Sequence, residues 1–177
     1  MTAIVGFSKD GTVYIAGDSA GVAGLDVTVR SDTKVFKNGN MIFGYTTSFR
    51  MGQLLRYKLK IPKQKGDDDY KYMVTDFIDS IRQCFEENGF SKIESNKEKG
   101  GSFLVGYKGK LYTISDDFQV GISEIKFDAV GCGESYCLGS MYSTQNETDI
   151  EKRLIMALES AEKFSGGVRR PFNIISI

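Results

Sequence analysis

The sequence contains no histidine and no tryptophan among its 177 residues, and only two prolines. The absence of histidine excludes Ser-His and Cys-His nucleophiles, imidazole general bases and histidine-containing zinc sites. The three cysteines, Cys84, Cys132 and Cys137, are an odd number in a chain of ordinary size. They imply no disulfide framework, and we expect a reducing cytoplasm.

Neither sign of charge is in excess, because 23 Lys and Arg residues balance 23 Asp and Glu residues. Without a basic field or an acidic tail, we expect no nucleic-acid partner. No apolar run approaches the roughly 20 residues of a membrane span, and no signal peptide is visible, so we expect no membrane partner. The length favours one domain over residues 1–177, large enough to bury a core.

Strands and helices are predicted in separate runs. Apolar patterning and turn signals predict strands at 3–7, 13–17, 34–37, 41–45, 102–107, 110–114, 118–120, 126–130 and 172–177. Apolar residues spaced three and four apart predict helices at 48–59, 70–85, 136–142 and 150–161. We expect loops at 19–31 and 91–101, and we interpret the aspartates at 67–69 as a helix N-terminus rather than a metal site. Segregated runs of this kind indicate an α+β fold.

Thr2 is the residue with the clearest catalytic potential. If Met1 is removed, Thr2 carries a hydroxyl nucleophile and a free α-amine on the same residue. An α-amine has a pKa near ~8, so part of it is unprotonated at neutral pH and can act as a base. This arrangement activates a nucleophile without histidine. A threonine at position 2 is by itself more often an ordinary strand-opening residue, so the downstream spacing decides.

Three residues downstream of Thr2 make the pattern specific. Asp18 ends the second predicted strand, Lys34 begins the third, and Gly44 lies near the end of the fourth. The stretch from Thr2 to Gly44 resembles the β-type subunits of the proteasome, and more closely the bacterial HslV peptidase. The resemblance implies the four-layer αββα sandwich of the N-terminal nucleophile hydrolases, with two antiparallel sheets flanked by helices. It also implies that Lys34 places positive charge beside Thr2, that Asp18 orients Lys34, and that the Gly44 N–H stabilises the oxyanion.

Two motifs in the second half resemble the same family. Gly131-Cys132-Gly133 corresponds to its Gly-Ser-Gly, and the run from Glu162 to Gly166 corresponds to its Asp-x-x-Ser-Gly. The resemblance implies that Cys132, Glu162 and Ser165 support the nucleophile and its amine. A thiol is a weaker hydrogen-bond partner than a hydroxyl, and Glu is longer than Asp. These departures leave open a site with reduced or altered activity.

The resemblance implies a threonine-type peptidase that needs no metal or organic cofactor. A peptide or unfolded-protein substrate would lie between the Gly21-Val22 segment and Gly44, and would add a strand through main-chain hydrogen bonds. The family further implies a homo-oligomeric ring with the site facing an inner chamber, and a AAA+ ATPase partner. Two alternatives stay open: a catalytically inactive structural or assembly subunit, and a small-molecule amidase on the same scaffold.

Overall fold

The computed structural model describes residues 1–94 and 97–177. Within these residues the strands are β1 (Ala3–Lys9), β2 (Thr12–Gly17), β3 (Ala20–Ala23), β4 (Asp26–Val29), β5 (Val35–Asn38), β6 (Met41–Tyr45), β7 (Lys92–Glu94), β8 (Lys97–Lys99), β9 (Phe103–Tyr107), β10 (Lys110–Ile114), β11 (Val120–Gly121), β12 (Phe127–Gly131) and β13 (Asn173–Ser176). The helices are α1 (Phe49–Tyr57), α2 (Asp69–Tyr72), α3 (Ile78–Glu87), α4 (Glu134–Ser143) and α5 (Ile150–Phe164). A π-helical turn, Met73–Phe77, joins α2 to α3.

Two antiparallel sheets form the centre of the fold. The first has the strand order β12-β1-β2-β13, so β1 is paired on both edges. The second has the order β11-β10-β9-β6-β5. Two further pairs, β3-β4 and β7-β8, are two-stranded hairpins.

The helices cover the outer faces of the two sheets, which makes four layers. Helices α1 and α3 and the π-helical turn pack on the second sheet in an aromatic-rich cluster that includes Phe43, Phe77 and Phe103. Helices α4 and α5 pack on the first sheet through small and aliphatic residues such as Ala157 and Leu158. A third cluster lies between the sheets and is entirely aliphatic: Ile4, Val13, Ile15, Val35, Ile42, Leu104, Leu111 and Val130. The predicted α+β sandwich is therefore confirmed.

Local sequence signals explain several of these elements. Asp68 caps α2, because its side chain accepts a hydrogen bond from the Lys71 N–H, and so the aspartate run does mark a helix start. Gly39 and Asn40 form the tight turn between β5 and β6, and Gly39 has the positive φ of 56° that such a turn requires.

Two predicted loops are wrong. Residues 19–31 include the β3-β4 hairpin, whose small residues and Gly24 turn give only a weak strand pattern. Residues 91–101 include the β7-β8 pair, and the charged composition of this stretch gave no strand pattern. Positions 95 and 96 of the predicted loop lie outside the described residues. Among the helices of residues 1–94 and 97–177, none combines the length and apolarity needed to cross a membrane.

Candidate active site

Thr2 lies immediately before β1, in the middle of the first sheet, and exposes only 5% of its surface. Its hydroxyl oxygen accepts a hydrogen bond from Lys34 Nζ at 2.8 Å. The same hydroxyl donates to the Met1 carbonyl at 2.5 Å. The fold therefore places the Thr2 hydroxyl in direct contact with a buried amine.

Lys34 stands just before β5 and is 1% exposed. Its Nζ lies 2.8 Å from Asp18 Oδ1, so one ammonium bridges the carboxylate and the Thr2 hydroxyl. Burial lowers the pKa of Lys34, and the charge and hydrogen bond of Asp18 act in the opposite direction. Lys34 therefore places a nearby cation where negative charge would develop on the Thr2 oxygen.

Asp18 follows β2 directly and is fully buried. Besides Lys34, its carboxylate accepts hydrogen bonds from the backbone N–H groups of Ala3 at 3.1 Å, Ala20 at 2.8 Å and Arg169 at 3.2 Å. Four donors fix its position and compensate its charge, which a buried carboxylate requires. Sequence reasoning missed Arg169, because a backbone N–H leaves no side-chain signal.

Cys132 and Ser165 lie on the other side of Thr2. The Thr2 N–H donates to Cys132 Sγ at 3.2 Å, and Sγ lies 3.2 Å from Ser165 Oγ. Gly131 makes this approach possible: its φ is 103°, and a Cβ there would lie 2.3 Å from the Thr2 carbonyl oxygen. The structure thus brings Cys132 to the nitrogen that would become the free amine, and Ser165 to Cys132.

Glu162 is oriented differently. Its carboxylate accepts hydrogen bonds from Arg170, from the backbone N–H at 2.8 Å and from Nε at 2.9 Å. Within residues 1–94 and 97–177 it makes no hydrogen bond to Thr2 or Ser165. Arg170 therefore holds the Glu162 carboxylate. The expected support of the Thr2 amine by Glu162 does not correspond to a direct contact among the described residues.

Gly44 lies in the middle of the paired strands rather than at a free edge. The Thr46 N–H donates to the Ser102 carbonyl. The register of β6 and β9 pairs Gly44 with Leu104, which lie two residues before Thr46 and two residues after Ser102. The alternation of an antiparallel ladder therefore directs the Gly44 N–H to Leu104. A Cβ at Gly44 would lie 2.5 Å from Ile4 Cγ2, so this glycine allows the sheets to pack closely. These observations argue against Gly44 as the oxyanion donor.

Thr47 offers an alternative N–H. It lies in the bend after β6 with a φ of 59°, rare for a residue other than glycine and often a mark of a functional position. Its hydroxyl accepts a hydrogen bond from the Ser102 N–H at 3.2 Å, whereas its own N–H has no partner in the described part of the chain. The preceding Thr46 reaches the nucleophile side, since a Cβ at Gly131 would lie 3.1 Å from Thr46 Cγ2. Sequence reasoning missed Thr47, because the donor is again main chain.

The expected substrate-binding residues Gly21 and Val22 lie in β3. One edge of β3 pairs with β4, and the other edge has no strand partner within the described ranges. Near this hairpin, the Arg30 guanidinium stacks 3.8 Å from the centre of the Phe49 ring, and Lys34 Nζ lies 5.8 Å from the same ring. Phe49 and Arg30 are therefore further side chains near the site that the sequence pattern did not single out.

The acidic and sulfur side chains of the described residues form no cluster suited to a metal. No group of three or more Cys, Asp or Glu residues that could hold an ion is found in residues 1–94 and 97–177. The chemistry that the arrangement can support is a hydroxyl attack assisted by neighbouring nitrogen and ammonium groups.

No family model and no curated protein matches the sequence. Solved structures match it in fold: BPH from Thiobacillus denitrificans, in complex with epoxomicin, has a TM-score of 0.83 and 18% identity, covering 99% of this chain and 98% of its own. Eukaryotic HslV from Trypanosoma brucei has a TM-score of 0.70 and 17% identity, with coverages of 99% and 98%. Anbu, an ancestral β-subunit, from Yersinia bercovieri has a TM-score of 0.67 and 14% identity, with coverages of 99% and 81%. At these identities the likeness concerns the fold.

Proposed function

This chain has the N-terminal nucleophile hydrolase fold of proteasome β-type and HslV-like subunits, and from that premise we propose that it is a threonine-type peptidase subunit. The observation that carries the proposal is the buried line of contacts from Asp18 through Lys34 Nζ to the Thr2 hydroxyl, each 2.8 Å long. An ordinary strand-opening threonine has no need of a buried ion pair, which costs free energy to desolvate.

The first chemical step requires removal of Met1. Thr2 then gains a free α-amine beside Cys132 and Ser165, and its hydroxyl loses the Met1 carbonyl as a partner. The amine takes the hydroxyl proton, directly or through a water, while Thr2 Oγ attacks the carbonyl carbon of the substrate amide. The Lys34 ammonium stabilises the oxygen as it loses the proton.

The second step is collapse of the tetrahedral intermediate. The C–N bond of the substrate breaks, and the proton held by the Thr2 amine passes to the leaving amine. Water then hydrolyses the acyl–Thr2 ester by the same route and restores the hydroxyl. The Thr47 N–H, which has no partner in the described chain, is the donor that we assign to the oxyanion in place of Gly44.

The substrate is a peptide bound in extended form. The free edge of β3, which includes Gly21 and Val22, offers main-chain donors and acceptors to such a strand. Phe49 and Arg30 stand close to Lys34 and supply the side chains that a substrate residue beside the scissile bond would meet.

Assembly into a ring in the cytoplasm, with an ATPase delivering unfolded protein, completes the proposal. Its support is the HslV-like fold together with apolar side chains left on the surface, among them Leu25 and Val29 of the β3-β4 hairpin and Tyr57 at the end of α1. Exposed apolar residues grouped on a hairpin are typical of a surface that another subunit covers.

The main competing function is a structural subunit without activity. Two observations favour it: the Met1 carbonyl occupies the Thr2 hydroxyl, and Arg170 holds Glu162 away from the nucleophile. The other competitor, a small-molecule amidase, would use the same Thr2 chemistry on short amides. Sizing of the particle and comparison of an unfolded protein with a small amide as substrates separate these functions.

The direct test is turnover of a fluorogenic peptide by Thr2 variants. We expect Thr2→Ala to lower kcat/KM by at least about 10³-fold, because it removes the oxygen that attacks the substrate, and to leave the circular dichroism unchanged. Thr2→Ser keeps a hydroxyl and retains measurable turnover. Thr75→Ala removes an exposed hydroxyl on the π-helical turn and serves as the matched control. Full activity in Thr2→Ala would refute the mechanism.

A further inference from the structure

A second cavity lies at the end of β1 that is remote from Thr2. Strand β1 runs from Ala3, next to the nucleophile, to Lys9, so at about 3.3 Å per residue the two ends are about 20 Å apart. At the Lys9 end an open cleft of about 710 Å³ is lined by residues that include Phe7, Lys126, Tyr142 and Arg153. This volume is in the range of small-molecule sites.

Arg153 is the unusual residue of this cleft, because it is 5% exposed although it carries a full charge. One guanidinium nitrogen, Nη2, donates to the Met141 carbonyl at 2.8 Å, and the guanidinium carbon lies 4.7 Å from the centre of the Phe7 ring. Nε is buried with no hydrogen-bond partner. Nη1 also makes no hydrogen bond to the described residues and is not among their buried unpaired atoms, so it keeps some exposure, and Arg153 is part of the cleft lining.

No carboxylate of the described residues neutralises Arg153. It forms no ion pair, whereas the other buried cation, Lys34, is paired with Asp18. Burial lowers the pKa of Arg153, and the negative charge of Glu147 acts in the opposite direction. A guanidinium nevertheless stays protonated in proteins. A buried cation without a counter-charge is costly, and an anion in the cleft would remove that cost.

The charges around the cleft indicate what kind of anion fits. Its lining holds the cations Lys9, Lys126 and Arg153 and the anions Asp10 and Glu147, one positive charge in excess. Glu147 is also paired with Lys152, which lies outside the lining, so the cleft is cationic and favours an anion. The rest of the wall is apolar and includes Phe7, Ile125, Phe127 and Tyr142.

We propose that this cleft binds an organic monocarboxylate, with the carboxylate on the free edge of Arg153 and an apolar body against the aromatic wall. The Nη1 N–H groups of Arg153 are the donors left for the carboxylate, and a charge-assisted hydrogen bond of this kind is stronger than a neutral one. The carboxylate is that of a free small acid or of a peptide C-terminus. The proposal uses no residue of the Thr2 site and stands independently of the peptidase function.

A purely structural role for Arg153 is the competing explanation. Its bond to the Met141 carbonyl ties α5 to the last turn of α4, where a cation is favourable in any case. That role accounts for Nη2 and predicts no ligand. A test must therefore measure binding and not stability alone.

The test is a titration of the whole protein with benzoate, followed by the thermal midpoint and by calorimetry. We expect a saturable rise in Tm for the wild type and for Arg82→Met, which removes an exposed arginine on α3, on the opposite outer layer. Arg153→Met should lose the shift, and Arg153→Lys, which keeps the charge without the fork, should bind at least tenfold more weakly. Equal binding by Arg153→Met, or no binding by the wild type, would overturn the proposal.

Further probes identify the source of the carboxylate. Stronger binding of a short peptide with a free C-terminal carboxylate than of benzoate, lost in the amidated peptide, supports a peptide C-terminus; the reverse order supports a small acid. Saturable binding of inorganic phosphate but of neither carboxylate would refute the ligand class. If Arg153→Met does not fold, an NMR titration of the wild-type protein with benzoate tests the proposed site. Benzoate must then shift the amides of Gly11, Gly109 and Thr148 around the cleft, and shifts elsewhere would contradict the site.

Discussion

Each end of β1 has a buried cation beside it, and the two cations are handled differently. Lys34, near Thr2, is bound to Asp18, whose carboxylate also accepts three backbone N–H groups. For Arg153, at the Lys9 end, the described residues supply only a carbonyl oxygen and an aromatic ring. A charge compensated within the chain, such as that of Lys34, acts on an internal group, here the Thr2 hydroxyl. A charge left uncompensated beside a cleft is available to a ligand.

The largest expected effect on stability is that of removing Lys34, and the matching removal of Arg153 should change stability little. Lys34→Met leaves Asp18 buried without its counter-charge, so we expect a loss of about 3–5 kcal/mol in the free energy of unfolding. Arg153→Met removes a charge that no carboxylate of the described residues neutralises, and it loses one hydrogen bond, so the net change in the free energy of unfolding should stay within about 1 kcal/mol. Urea denaturation at neutral pH measures both.

Lys60→Met, at an exposed lysine, is the control for this comparison and should change stability by less than about 0.5 kcal/mol. An equal loss in the free energy of unfolding for Arg153→Met and Lys34→Met would contradict the proposed difference between the two cations. It would mean that both cations are parts of the internal structure.

A smaller effect is expected from a methyl group at Gly131. A Cβ there meets the Thr2 carbonyl oxygen at 2.3 Å, and the φ of 103° disfavours any side chain. We expect Gly131→Ala to cost about 2–4 kcal/mol and to displace Thr2. The matched change Gly139→Ala lies in α4 with no atom within 4 Å of the added carbon, and should stabilise by about 0.5–1 kcal/mol. Thermal unfolding of both variants checks this, and equal midpoints would contradict it.

Alkylation should separate the three cysteines. Cys132 is exposed, whereas burial raises the pKa of Cys84 and raises the pKa of Cys137 to about 12. Iodoacetamide at pH 8 should therefore modify Cys132 first, and the adduct, placed between Thr2 N and Ser165, should block reaction at Thr2. Peptide mapping locates the adduct. Cys132→Ser should retain reaction at Thr2 after iodoacetamide, and its inactivation by the reagent would show that another site is responsible.

The smallest effect concerns Asp69 on the surface. Hydrogen bonds from Lys108 and Gln64 lower its pKa to about 2, against a burial effect that raises it. Its folded pKa lies below the unfolded value of about 4, so its contribution is complete above pH about 4 and is lost as the pH falls through about 2. Asp69→Asn should cost about 1 kcal/mol at pH 7 and progressively less toward pH 2. Asp67→Asn, at an exposed neighbour, should show neither effect.

The cluster of Thr2, Asp18 and Lys34 could be predicted because the family resemblance rests on residues at the ends of strands. Thr2, Asp18 and Lys34 each stand at the end of a strand in the central sheets, and the structure brings them within hydrogen-bond distance. The fold followed from the segregated runs of strands and helices. Elements with a weak strand pattern, such as the β3-β4 hairpin, could not be predicted from the sequence.

Other parts of the candidate site could not be predicted, for physical reasons. Arg169 and Thr47 contribute backbone N–H groups, which every residue except proline has. Glu162 is held by Arg170, a partner that the motif does not contain. Arg153 sits within an amphipathic helix, where an arginine is typical of a solvent face; only the packed structure shows that it is buried.

The measurement that tests the central claim most directly is the intact mass of the purified protein, with and without a threonine-directed epoxyketone. We predict loss of Met1 and a single adduct, absent in Thr2→Ala, because the reagent requires both the hydroxyl and the free amine of Thr2. Retention of Met1 and no adduct, even after an aminopeptidase exposes Thr2, would contradict the peptidase account and favour a structural subunit.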